Sequence, residues 1–126
     1  MNKKIFLSYS IEDKDLAESF KEQVNNFKKI DFLEYLQFEN NDLIWKEKVD
    51  KLIYSSELLL CLFGFSTWES EAVKWEIEKA IEHNKPVIIV KLKSTVFMIP
   101  NYIIENHLNV FEYDPKEIVN YIDSKL

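Results

Sequence analysis

Chemistry has few places to reside in this chain, and the segment SEAVKWEIEKA, residues 70–80, holds the best of them. On a helical wheel of about 100° per residue, Val73, Ile77, Ala80 and Ile81 gather within about 80° as an apolar stripe, and Glu76 falls just off its edge. Past Glu76 on the same side come Ala72, Trp68 and Trp75, which form a ridge of two indoles and a small residue. Aromatic rings set outside a core stripe mark a ligand or partner surface, with packing under a neighbouring loop as the bland alternative. A carboxylate beside such a ridge can bind a ribose hydroxyl. It can also stabilise the cation that develops as a glycosidic bond to a positively charged leaving group breaks. Spacing alone does not select Glu76, because Glu69, Glu71, Glu78 and Glu82 share the segment. Only a cleft facing position 76 would single it out.

Other chemistries lack their residues. Gly64 is the only glycine, so neither the G-x-G-x-x-G fingerprint nor the P-loop can form, since each needs several glycines for backbone to approach phosphate. His83 and His107 lie far apart with no H-E-x-x-H and no Cys/His cluster, so no metal site is expected and both read as surface or helix-end residues. The single Cys61 lies inside LLLCLF and reads as a buried, inert thiol with no partner for an internal disulfide. A formal charge of -6 argues against a nucleic-acid partner. The start MNKKIFLSYS is neither a signal peptide nor a spanning helix, so a cytoplasmic protein without membrane attachment is expected. Glu12 and Asp13 after the first strand raise a receiver-like phosphoacceptor. Strand 3 then ends in Leu62-Phe63-Gly64 with no Asp, and the acids read better as helix N-terminal charges.

The elements that must position Glu76 follow from apolar patterning. A chain of 126 residues with 47% hydrophobic content suits one domain, residues 1–126, with one continuous core. Residues Ile5 to Tyr9 read as a buried first strand, and Ser10 with Asp13 as a capping box opening a helix through Leu16, Phe20, Val24 and Phe27 to Lys29. Asp31 to Phe38 mixes polar and apolar positions, as an edge strand would. A turn at Glu39 to Asp42 leads to a helix carrying Trp45, Val49, Leu52 and Ile53 and ending at Ser55-Ser56. The continuous apolar run Leu58 to Phe63 is a central strand. Ser66 with Glu69 predicts a second capping box opening the Glu76 helix, which closes at Asn84, and the N–H groups at Ser66 to Trp68 there suit a phosphate. VIIVKL is strand 4; Lys93 to Asn109 is a loop with one short helix; Leu108 to Tyr113 is strand 5; and Pro115 begins a closing helix through Ile118, Val119 and Ile122.

Alternating strands and helices predict a flavodoxin-like α/β fold, a five-stranded parallel sheet of order 2-1-3-4-5 with helices on both faces. Ligands of such sheets sit beyond the carboxyl ends of strands 1 and 3. In this chain those ends are Ser8-Tyr9-Ser10 and Gly64-Phe65-Ser66.

KIFLSYS resembles the first-strand motif of TIR domains, and SEAVKWEIEKA followed by PVIIV is similar to that family's helix C segment and strand 4. The run IWKEKVDKLIYSSELLLCLFGFS resembles the stretch from BB loop through helix B to strand 3. The resemblance implies an NAD glycohydrolase or cyclase with Glu76 as the catalytic glutamate and NAD as substrate rather than bound cofactor. It implies Tyr9 and Ser10 lining the site and Trp45 covering it; the helix start at Ser66 to Trp68 and the ridge of Trp68, Ala72 and Trp75 are expected to complete the NAD contacts. Within that family it resembles the signalling component of Thoeris-type antiphage defence. Such a component self-associates and turns NAD into a cyclic ADP-ribose-like messenger for a downstream effector. Two departures stand out: Ala72 where many members carry Trp, and a BB loop, ENNDLIW, without Pro-Gly. The alternative is a non-catalytic TIR-like interaction module. The expectation that separates them is spatial: Glu76 should open into the cleft that Tyr9 and Ser10 border.

Overall fold

The computed structural model describes residues 2–35, 42–94, 96 and 99–126. Five parallel strands form one sheet of order β2-β1-β3-β4-β5: β1 (Lys3–Ser8), β2 (Ile30–Leu33), β3 (Leu58–Phe63), β4 (Val87–Lys91) and β5 (Asn109–Phe111). Five helices cover it: α1 (Lys14–Asn25), α2 (Asp42–Ser55), α3 (Glu71–Glu82), α4 (Asn101–Glu105) and α5 (Pro115–Lys125).

Side-chain alternation along the strands divides the core in two. Ile5 and Leu7 join Leu58, Leu60, Leu62, Ile88 and Val90 on the face covered by α1 and α5, through Phe20, Val24, Ile118 and Ile122. Phe6 joins Leu59, Cys61, Phe63 and Ile89 on the face covered by α2 and α3, through Val49, Ile53, Val73 and Ile77. Every residue of β3 is buried, as its unbroken apolar run predicts. Edge strands β2 and β5 are short, which limits the unpaired backbone they present. Among the described residues no helix is long and apolar enough to cross a membrane.

Several boundaries differ from expectation. Ser10 makes no side-chain cap bond; Ile11–Asp13 forms a 3-10 turn, and α1 starts only at Lys14. That helix ends at Asn25 rather than Lys29, because the Asn25 side chain accepts the Ile30 N–H at 3.2 Å and turns the chain into β2. Its inner stripe is Ala17, Phe20 and Val24, leaving Leu16 and Phe27 exposed. Strand β2 stops at Leu33 because the next side chain, Glu34, is engaged by Tyr9 and Lys21. The remainder of the expected strand, Leu36 to Phe38, and the turn at Glu39 to Asn41 lie outside the described residues. Ser66 and Glu69 do not cap α3: Thr67–Glu69 is a 3-10 turn, and Ser70 is the cap, its side chain accepting the Val73 N–H at 3.2 Å. Strand β5 is shorter than Leu108 to Tyr113.

Other expectations agree with the structure. Asn84 takes the left-handed conformation, φ 59°, just past α3, and one short helix interrupts the stretch after β4. Pro115 occupies the first turn of α5, where the Asp114 side chain accepts the Glu117 N–H.

Candidate active site

Ser8, the last residue of β1, lies on the same face as Phe6 and so looks toward α3. Its hydroxyl donates to Glu76 Oε1 at 2.6 Å, joining the end of the first central strand to the middle of α3. Glu76 is only 5% exposed and Ser8 1%. Loss of water around the carboxyl pushes its pKa up to about 8, with the Ser8 bond pulling the other way. Burial therefore favours the protonated form of Glu76 in the free protein. Cys61 on β3 is the register partner of Ser8. It is fully buried, and burial pushes its thiol well above the usual range.

The residues expected to border Glu76 are distributed over several parts of the fold. Tyr9 follows Ser8 and, by alternation, packs into the α1/α5 core on the other face. Its hydroxyl donates to Glu34 Oε1 at 2.6 Å while Lys21 holds Oε2 at 2.7 Å. Burial first, then Glu34, raises its phenol above the usual range. Ser10 is half-buried in extended backbone after β1. The structure thus couples Glu76 to Ser8 and commits the Tyr9 hydroxyl elsewhere.

Trp45, Ala72 and Trp75 do come together. They wall a hollow of about 340 Å³ between α2 and α3, with Lys46, Lys74 and Glu78 among its other walls. Trp45 and Trp75 meet with ring centroids 5.4 Å apart at 43°, and the buried indole N–H of Trp45 has no hydrogen-bond partner among the described residues. Glu76 does not line this hollow. Trp68 belongs to the 3-10 turn before α3, is 42% exposed and stands apart from the hollow, so the expected ridge is broken there. Ser66 lies half-buried one residue before that turn. Among the described residues no three His, Cys, Asp or Glu side chains gather as metal ligands would.

Sequence reasoning placed Ser8 at the crevice and read Asp13 as a helix N-terminal charge, but missed what each of them touches. The Ser8 contact was legible from strand alternation, which places Ser8 with Phe6 and against α3. The Asp13 contact was not: the carboxylate rests on Gly64 beside Thr67, between the carboxyl ends of β1 and β3. The signal available was the isolated glycine directly after a fully apolar strand.

With this geometry in view, the chain can be set beside known proteins. The family model described as Thoeris protein ThsB, TIR-like domain, matches residues 6–96. Among solved structures, the chain is similar to that of Clostridium botulinum CMP N-glycosidase, BcmB, with a TM-score of 0.61 and 18% sequence identity, covering 98% of this chain and 100% of that one. At that identity the likeness is one of fold. No curated protein sequence matches the chain.

Proposed function

The chain belongs to the Thoeris ThsB TIR-like family, and from that premise we propose that it is an NAD-cleaving signalling enzyme in antiphage defence with Glu76 as its catalytic carboxyl. The observation that carries this reading is a nearly water-free carboxyl bonded to Ser8 at the carboxyl end of a central strand. That is the edge where sheets of this order take their ligands.

In the proposed reaction the bond between ribose C1′ and the nicotinamide nitrogen breaks, and its electron pair leaves with nicotinamide as a neutral base. Ionised Glu76 stabilises the positive charge left on the ribose, and a ribose hydroxyl hydrogen bonded to it is held in place. Attack by water gives ADP-ribose and a proton. Attack by a nucleophile of the same molecule, with loss of its proton, gives the cyclic messenger. The cationic nicotinamide ring arriving beside Glu76 favours its ionised form, so binding itself readies the carboxylate. The Trp45–Trp75 hollow offers stacking for a heteroaromatic ring, and Ser10, Ser66 and Trp68 lie along the same edge of the fold. Self-association through the TIR surfaces and an effector reached through the messenger complete the reading.

A second substrate class is favoured by one observation, the near-complete burial of Glu76, which favours its protonated form. A carboxylic acid can protonate a neutral nucleobase as it leaves, and the similar fold of the CMP N-glycosidase points to a nucleoside monophosphate. Incubating concentrated protein with NAD or with CMP and identifying the released base decides between them. Nicotinamide supports the first reading and cytosine the second. Glu76→Gln is expected to lower release by about 10²–10³-fold, the usual effect of removing one such electrostatic group. If both substrates survive intact and Glu76→Gln leaves infected cells unaffected, the protein is a non-catalytic TIR-like interaction module.

A further inference from the structure

One side chain of the protein itself fills the crevice between β1 and β3. Asp13 ends the 3-10 turn after β1, and its carboxylate leans on Gly64, the first residue after β3. A Cβ at position 64 would lie 2.2 Å from Asp13 Oδ2 and 2.8 Å from Oδ1, so the approach requires glycine. The Thr67 hydroxyl accepts the Gly64 N–H at 2.8 Å and draws the Asp13 carboxyl toward its ionised form. Lys93, beyond β4, draws the carboxylate toward its ionised form, and its ammonium lies 5.9 Å from the Phe65 ring centroid.

Asp13 is poorly satisfied in this position. Its Oδ2 is buried with no hydrogen-bond partner among the described residues. Burial first, then the charge of Glu12, raises its pKa above the usual carboxylate range. A carboxylate oxygen held out of water without a partner costs free energy that its departure would release. Its location is the point where the sheet's winding reverses and where ligands of such sheets enter.

We infer that Asp13 is an internal stand-in for a phosphate group: the β1–β3 crevice takes a nucleotide phosphate once Asp13 swings out, with Gly64 admitting it and Thr67 and Lys93 receiving it. Two anions cannot share the crevice, so the resting protein is self-blocked and releases the block by moving or protonating one side chain. The inference rests on reading this edge as a nucleotide site and is independent of which bond is cleaved. The titratable groups facing Asp13 are Glu12 on its own turn, Lys93 after β4 and Cys61 on β3.

Titration calorimetry of the full chain with inorganic pyrophosphate and with ADP-ribose tests it. Asp13→Asn keeps shape and hydrogen-bonding capacity while removing the charge, and is expected to tighten binding about tenfold, equivalent to roughly 1.4 kcal/mol. Glu12→Gln, the same charge change on the exposed neighbour, is expected to stay within about twofold of wild type. Wild-type affinity should rise as pH falls through the raised Asp13 pKa, and that rise should be absent from Asp13→Asn. A gain for both probes supports a crevice that reads phosphate itself; a gain for ADP-ribose alone supports one that reads it as part of a nucleotide. No gain in Asp13→Asn, or an equal gain in Glu12→Gln, overturns the inference. Should Asp13→Asn fail to fold, Lys93→Ala in the otherwise intact chain must weaken both probes about tenfold, and unchanged binding overturns it equally. Neither probe contains a nicotinamide bond, so these affinities are decided separately from NAD cleavage.

Discussion

A carboxyl on α3 is an unusual tenant of a helix face otherwise lined by Val73, Ile77 and Ala80, and its consequences extend to stability. Glu76 shifts from an ordinary 4.5 to about 8 on folding, so the folded chain keeps a proton that the unfolded chain has lost. The stability this contributes is complete below about pH 4.5, declines as pH rises toward 8, and changes no further above that. Glu76→Gln keeps the acceptor for Ser8 and removes the titration. Urea unfolding at about pH 5 and about pH 9 should therefore show wild type losing a few kcal/mol that the variant retains. Equal slopes for the two proteins would remove the buried-acid account. Ser8→Ala takes away the one bond favouring the ionised form, so the pH profile of kcat/KM should move alkaline, with stability down by about 1–3 kcal/mol. A profile that stays in place would mean that Ser8 does not tune Glu76. The helical wheel brought Glu76 to the border of the stripe, and the fold turned it fully inward. Tyr9, its expected companion, sends its hydroxyl to Glu34 instead, because neighbours in sequence on a strand face opposite ways.

Elements were legible where one force dominated. The run Leu58 to Phe63 could only be a strand covered on both faces, and its limits agree with β3 to the residue. Helix starts were harder, because two serines compete for the cap of α3. The Ser66/Glu69 pattern rewards an acid three residues on, whereas the chain uses Ser70, with Val73 in that place. The Thr67 hydroxyl decides between them by taking the Gly64 N–H and holding residues 67–69 in their own turn. Ser70→Ala should accordingly cost about 1 kcal/mol in thermal melts, and Ser66→Ala a few tenths at most. The reverse order would restore the longer helix. Similarly, the extent of β2 could not be read from DFLEYLQF, since what ends the strand is Glu34 meeting Tyr9 and Lys21 from elsewhere in the chain.

At the scale of the molecule, the 2-1-3-4-5 order was readable from the alternation of strands and helices, because right-handed crossovers leave few other arrangements. The contents of the β1–β3 crevice were not, since they depend on which side chain occupies a gap that two distant loops leave between them. The unbroken burial of β3 also reaches beyond the site. Its one sulfur is fully covered, flanked by β1 and β4, and no other cysteine occurs in the chain. An alkylating reagent can reach it only when the centre of the sheet comes apart, so the native protein carries a stopwatch for its own opening. Modification under native conditions should be slow, should give a single labelled species, and should accelerate with denaturant along the global unfolding curve. Rapid labelling without denaturant would show that α2 and α3 lift from the sheet while the rest stays folded.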